Sequence, residues 1–396
     1  MKYSTLTGRV RGSAADVWDS HYAAMAAKRR GEDVLVLSVG DPDFSTPPEI
    51  IDAAIDALRE GDTHYTGVAG IDKLREAIAQ QHRQNSGQDV SLENVVICSG
   101  AQNALFATSL CIAEAGDEII VLQPMYVTYE ATVQASGATM VPVVLDEAGG
   151  FRLNADSLSA AITRKTRAIF YASPSNPTGI SLTLSELQSI ADVAIEHDLW
   201  VVADEVYSDI VFEHKFHHMA ALPGMAERTV TVSSLSKSYA MTGWRVGWAV
   251  GPTALIQNIE KLALCMLYGL PGFIQQAGYY ALKNATKDRE AMREIYRQRR
   301  DLLLREFESM PELKALKPDA GMFLMVDVRG SGLSAPEFVR QLYQYCGVSV
   351  LDASAFGGST QGYVRVSYTI AEQDLLEASR RIKTFLESLQ RLGRSA

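Results

Sequence analysis

The chain has 396 residues, of which 47% are hydrophobic and 21% charged, and its formal net charge is −10. That composition describes a folded chain with material for two or three domains and excludes a disordered or low-complexity one. The acidic balance argues against general nucleic-acid binding, which needs a basic face, and no run reaches the roughly 18 apolar residues that span a bilayer.

Residues 1–45 read as an N-terminal arm. Its first 18 residues carry Lys2, Arg9, Arg11 and Asp16 but no apolar stretch, so no signal peptide is expected. The arm ends in the turn-rich Gly40-Asp41-Pro42-Asp43. Val95-Val96-Ile97-Cys98 then predicts a short buried strand that stops at Ser99-Gly100, and a helical pattern follows over 103–113. Further apolar strands are expected at 118–122, 139–144, 167–171, 200–203 and 229–232. A helix over 184–197 is announced by the capping box Thr183-Leu184-Ser185-Glu186. Near-continuous apolar strands alternating with helices describe an α/β fold with a parallel sheet covered on both faces.

The C-terminal third opens with a long charged helical pattern over about 287–308. It then alternates strand-like pieces (322–328, 348–351, 363–367) with helices (335–345, 372–392). That is the pattern of a smaller α+β unit. The expected division is an arm with part of the small domain at 1–45, a large domain at 46–290 and a small domain at 291–396. Cys98, Cys111, Cys265 and Cys346 are scattered, with no C-x-x-C, as expected of reduced thiols in a cytoplasmic protein.

The sharpest chemical feature is Ser234-Leu235-Ser236-Lys237-Ser238, with Arg245 eight residues beyond the lysine. A lysine in a Ser/Gly-rich loop just after a buried strand is an odd place for a solvated charge. Hydroxyls and a guanidinium together suit a phosphate. A lysine beside a phosphate site suggests a covalent link to a phosphorylated aldehyde cofactor. Asp204 ends the strand 200–203 and would be delivered to the carboxyl edge of the sheet, where ligands of open α/β sheets bind; without Lys237 it would read as an ordinary turn carboxylate. No G-x-G-x-x-G or G-x-x-x-x-G-K-[ST] occurs, so dinucleotide and P-loop readings lack their signatures. Ser234 to Lys237 also satisfies the S-x-x-K of penicillin-binding serine hydrolases, but the later K-T-G is missing. His214, His217 and His218 lack metal spacing and read as a solvated loop, so no metal is expected.

The segment from Ser234 to Trp248 resembles the active-site lysine signature of class I/II aminotransferases, the pyridoxal 5′-phosphate (PLP) enzymes of the aspartate aminotransferase superfamily. Other marks of that family occur in order: Gly40-Asp41-Pro42-Asp43-Phe44, Tyr65 to Gly70, Ser99-Gly100-Ala101-Gln102, Pro124-Met125-Tyr126, Asn176-Pro177-Thr178-Gly179, Asp204-Glu205-Val206-Tyr207 and Val364-Arg365-Val366-Ser367. The resemblance covers almost the whole chain. It implies a fold type I transferase with a mostly parallel central sheet and a smaller α+β domain.

The resemblance also implies roles. Lys237 would carry the cofactor and shuttle the proton, and Asp204 would hold the pyridine nitrogen protonated. Asn176 and Tyr207 would bond the phenolic oxygen, with Tyr207 counted among the catalytic groups, and Tyr126 would cover the ring. Ser234, Ser236, Arg245 and the amides of Ala101 and Gln102 would hold the phosphate, the amides at a helix start. Tyr65 would reach the phosphate of the neighbouring subunit in a homodimer with shared sites. Arg365, Asn176 and the N–H of Gly40 would bind the substrate carboxylate.

Partners are then an L-amino acid and a 2-oxo acid. Aspartate-specific members need a further cation near Gly100, and Gln102 stands there instead, which favours an uncharged or cationic side chain. Gln123 to Glu130, Leu262 to Gly269 and Asp198-Leu199-Trp200 resemble the arginine–pyruvate branch of the family, implying an L-arginine donor and a pyruvate acceptor. Asp16, Asp19 and Glu130 are acids available to a guanidinium. The alternatives are an aromatic, neutral or aspartate-type aminotransferase, or a PLP-dependent carbon–sulfur β-lyase on the same scaffold. A PLP-binding regulator is disfavoured, because the residues before the core are too few and not basic enough for a DNA-binding module.

Overall fold

The computed structural model describes residues 1–10 and 15–393, with the side chains of residues 15, 16, 392 and 393 outside the description. The described residues contribute thirteen strands: β1 (Leu35–Val36), β2 (Val95–Ser99), β3 (Glu118–Gln123), β4 (Thr139–Val144), β5 (Thr166–Ala172), β6 (Trp200–Asp204), β7 (Thr229–Ser234), β8 (Val246–Val250), β9 (Lys314–Leu316), β10 (Phe323–Asp327), β11 (Val348–Ser349), β12 (Leu351–Asp352) and β13 (Tyr363–Ser367). Seven form the central sheet in the order β2-β8-β7-β6-β5-β3-β4. The pairs among β3 to β7 are parallel, as their continuous apolar runs require when helices cover both faces.

β8 is antiparallel to both of its neighbours, β7 and β2. The sequence reading did not identify this strand. The physical reason for its direction is the short link between Ser234 and Val246, which is not bridged by a crossover helix and so cannot return the chain parallel. One consequence decides the site. Because β8 starts where β2 and β7 end, Val246 pairs with Ser99 and Gly247 with Ser234, and Arg245 arrives at the carboxyl edge of the sheet.

The capping box forms: Thr183 Oγ1 accepts from the Glu186 N–H at 3.2 Å, and Glu186 accepts from the Thr183 N–H at 2.7 Å. The helix over the site starts two residues earlier than expected, at Ala101 rather than Asn103. Its cap is Gly100, with φ of +79°, which carries none of the usual Ser, Thr, Asp or Asn signal. The arm is also more structured than a linker, with helices at Thr5–Arg9 and Asp19–Arg29.

The smaller sheet runs β12-β13-β10-β9, all antiparallel. The strand expected over 348–351 is two strands: β11 pairs in parallel with β1, while β12 joins the small sheet. The residue after the arm's strand, Leu37, sits in the same apolar core as Leu324, Phe338, Val348 and Phe385. Another core joins the large sheet to Met325, Leu351 and Phe356 of the smaller unit. No helix among the described residues is long and apolar enough to cross a membrane.

Candidate active site

Every cofactor and substrate residue expected from the sequence, with the exception of Tyr65, lines one cavity of about 570 Å³ at the carboxyl edge of the central sheet. Tyr65 is 85% exposed, with its ring 4.8 Å from that of Tyr268.

At one wall the Ala101–Ile112 helix starts, and its first amides have no intrahelical acceptor. Arg245 takes a left-handed φ of +56° and donates through Nη1 to Thr242 O at 2.8 Å and through Nη2 to Ser99 O at 3.2 Å. Ser234 and Ser236 are buried beside it. The approach is closed by glycines. A Cβ on Gly100 would lie 2.3 Å from Arg245 Nη2, and one on Gly247 would lie 2.5 Å from the Gly100 carbonyl carbon and 2.6 Å from the Ala101 nitrogen. Helix amides, two hydroxyls and a guanidinium drawn together this tightly form an anion cradle that side chains at those glycines would fill.

Asp204 ends β6. One carboxylate oxygen accepts from the Tyr129 hydroxyl at 2.5 Å and the other from the Val206 N–H at 3.2 Å. Burial pushes its carboxyl up to about 6, while those two hydrogen bonds pull it back. Lys237 Nζ donates to Gly40 O at 2.8 Å. Burial pulls the amine down to about 8, Asp41 opposes this, and Arg365 and Arg245 add to it. Tyr207 and Tyr126 are both raised, first by burial.

Arg365, on β13, is 2% exposed. It donates to Asn176 Oδ1 at 2.8 Å and to Ser38 O at 2.9 Å, while its Nε has no hydrogen-bond partner among the described residues. Its guanidinium lies 4.2 Å from the centre of the Phe323 ring and 5.0 Å from that of Phe356. Burial lowers it to about 10, so it stays charged at neutral pH. A buried, oriented cation with a free N–H suits a carboxylate.

The Gln102 amide is tied at both ends: it donates to Thr132 Oγ1 at 2.8 Å and accepts from Thr128 Oγ1 at 2.6 Å. Sequence reasoning missed Tyr129, the partner of Asp204, although it lies three residues after Tyr126. It also missed Trp18, His21 and Met25, which line the cavity from the arm. Of the acids considered for a guanidinium, Asp19 is exposed outside the cavity, Glu130 lines a neighbouring one, and the Asp16 side chain lies outside the described residues. The histidine loop is not simply solvated as expected: His218 Nδ1 lies 2.6 Å from a carboxylate oxygen of the buried Glu205. Burying Glu205 without a partner would be costly, which accounts for the pairing.

A buried amine, a buried carboxylate, a cradle suited to an anion and a buried arginine suited to a carboxylate line one cavity and equip it for acid–base chemistry on a small anionic molecule. The comparisons with known proteins agree. Residues 32–382 match the family of class I and II aminotransferases. The chain belongs to that family and is a transaminase. It is 51% identical over 382 residues to arginine–pyruvate transaminase AruH of Pseudomonas aeruginosa, covering 96% of this chain and 97% of that protein. It is 35% identical to an aspartate aminotransferase of Pyrococcus horikoshii over 358 residues, 90% of this chain and 91% of that one. Among solved structures, Thermus thermophilus aspartate aminotransferase with maleate superposes with a TM-score of 0.92 at 33% identity, covering 97% of this chain and 100% of the other.

Proposed function

We propose that the cavity holds pyridoxal 5′-phosphate and that the enzyme moves the α-amino group of L-arginine to pyruvate, giving 2-oxo-5-guanidinopentanoate and alanine. The observation that carries the reading is the gathering of Lys237, Asp204, Arg245 and Arg365 on one cavity. The choice of arginine and pyruvate rests on the 51% identity to a transaminase of that name. An aspartate-type reading is disfavoured by Gln102, which is neutral and tied to Thr128 and Thr132.

The residues present fit the cofactor. The cradle of Ser234, Ser236, Arg245 and the Ala101 and Gln102 amides would take the phosphate. Asp204 would face the pyridine nitrogen and hold its proton, Asn176 and Tyr207 would bond the phenolic oxygen, and Tyr126 would cover the ring. Bound PLP supplies an electron sink for the bond broken at the substrate Cα.

This chain's residues do the rest. Arg365, with Asn176 and the Gly40 N–H, anchors the carboxylate and so orients Cα. Lys237, its proton affinity lowered to about 8, has an unprotonated fraction near neutral pH and takes the Cα proton as general base. Asp204 stays largely ionised above about 6. Tyr129 holds it in place.

We further infer a homodimer in which Tyr65 serves the partner's site, since it is exposed and lies outside its own cavity. The division into 1–45, 46–290 and 291–396 and a cytoplasmic location, which suits four free cysteines, belong to the same reading.

The test is a screen of amino donors with pyruvate and 2-oxoglutarate as acceptors, following keto-acid appearance and ammonia release. Arginine with pyruvate should give the highest kcat/KM, without ammonia; preferred turnover of a cysteine conjugate with ammonia release would point to the β-lyase. Lys237→Ala should lower turnover by about 10⁴-fold or more. Wild-type turnover in that variant would overturn the assignment.

A further inference from the structure

Trp18, His21 and Met25 reach the cavity from the Asp19–Arg29 helix and its cap, at the i, i+3, i+7 spacing of one helical face, and none has a role in the scheme above. His21 is the member of this stripe that can change charge near neutral pH. Its Nδ1 lies 2.9 Å from Ser38 Oγ. Ser38 Oγ accepts from the Ser349 hydroxyl at 3.1 Å, and Ser38 O accepts from Arg365 at 2.9 Å. Once the Ser349 proton points at Ser38, the Ser38 hydroxyl has its own proton to give, and Nδ1 is in reach to accept it. In that arrangement the imidazole is uncharged, with its proton on Nε2. A second proton would require Ser38 to turn, and would put a new cation beside Arg365. Burial, then Arg365, holds His21 below its ordinary proton affinity.

Arg365 is the charge that bears on His21 among the described residues. Lys237, Asp41 and Asp204 line the same cavity. Of the elements packed against the helix, β11 brings the Ser349 hydroxyl and β1 is Leu35 and Val36. On the Ala335–Cys346 helix, Glu337 and Arg340 are exposed and bonded to Ser334 and Gln344. On its own helix Asp19, Tyr22, Lys28 and Arg29 are exposed. The side chain of Asp16, in the preceding turn, lies outside the described residues. With Lys237 and Arg365 already present, a cationic substrate side chain is tolerated beside the aromatic faces of Trp18 and Tyr126 only while no further cation joins them.

We propose that His21 is a specificity-determining residue: its uncharged imidazole admits a cationic side chain to the cavity, and its protonated form turns that side chain away while sparing a neutral one of the same shape. This rests on the reading of arginine as the donor. The test compares L-arginine with L-citrulline, whose urea matches the guanidinium in shape without its charge, so that the pH effects on Lys237, Asp204 and the α-amino group cancel in the ratio of kcat/KM. In the holoenzyme that ratio should fall about tenfold as pH drops from about 8 to about 5, through and below the ordinary histidine range. It should stay flat in His21→Asn, which can bond Ser38 but cannot be charged, and in His21→Gln should the first variant fold poorly.

Calorimetric binding of 5-guanidinopentanoate and 5-ureidopentanoate makes the same comparison without turnover, and the acid loss should appear for the cation alone. A flat ratio in the wild type, or a fall that persists in the variants, overturns the inference and leaves arginine as donor. No turnover of arginine at any pH would instead sink the substrate reading, and the inference with it.

Discussion

Arg365 offers the sharpest test of how the site holds its substrate. Its guanidinium spends two N–H groups on Asn176 and Ser38, and its buried Nε has no partner among the described residues. A carboxylate bound there would take two charge-assisted hydrogen bonds, each contributing about 1.5–3 kcal/mol. Arg365→Lys keeps the charge but loses the planar fork. Forfeiting one such bond should lower kcat/KM by roughly tenfold to a hundredfold, and Arg365→Ala, which forfeits both, by about 10² to 10⁴. The native guanidinium, lowered to about 10, is protonated at assay pH, so the wild type presents its full charge to the carboxylate. The diagnostic is uniformity. The α-carboxylate is common to every donor, so arginine, citrulline and alanine should lose the same factor in steady-state assays, with thermal melting as the check on folding. A loss under threefold, or one confined to a single side chain, would refute the assignment of Arg365 to the carboxylate.

Two further outcomes are expected. Tyr129→Phe removes the donor that lies 2.5 Å from Asp204; the carboxyl, already near 6 from burial, should rise by about one to two pH units. Since the ionised form is the working one, activity is lost as pH falls through that value, so the acid limb of the pH–rate profile should move up by the same amount. Profiles that overlay those of the wild type would count against Tyr129 as the group positioning Asp204. Gly247→Ala would drive a methyl into the Gly100–Ala101 backbone and should weaken PLP binding by the apoenzyme about tenfold or more in equilibrium dialysis; an unchanged Kd would show that the cradle does not depend on that close approach.

The sequence was legible where a local pattern is itself the cause of the structure. β3 to β7 are short apolar runs because both faces of a parallel sheet are covered, and Thr183 and Glu186 cap a helix wherever that pair opens one. The meeting of Lys237, Ser234, Ser236 and Arg245 on one cavity was legible for another reason: few settings tolerate a lysine between serines after a buried strand with an arginine close behind. β8 was not, since Val-Gly-Trp-Ala-Val carries a glycine and follows a polar loop. Its direction follows from the length of a link rather than from its residues. Tyr129 meets Asp204 across 75 positions, and nothing in Tyr-x-x-Tyr announces that meeting. The stripe of Trp18, His21 and Met25 has helical spacing, but which cavity it faces is decided only when β1 pairs with β11 and carries the arm onto the smaller unit.

These contacts between residues distant in sequence share a physical logic. The cavity brings Lys237, Arg245 and Arg365 together, and Arg245 and Arg365 both help to pull the lysine down from its ordinary value. A fold keeps like charges this close only if its ligands repay the repulsion. The two arginines lie on different elements, one at the start of β8 beside the helix amides and one on β13 beneath Asn176. That arrangement asks for two separate anionic groups, a phosphate at the first and a carboxylate at the second. Anions bound at both places would offset the two guanidiniums, leaving burial as the cause that keeps the amine low enough to serve as the proposed base.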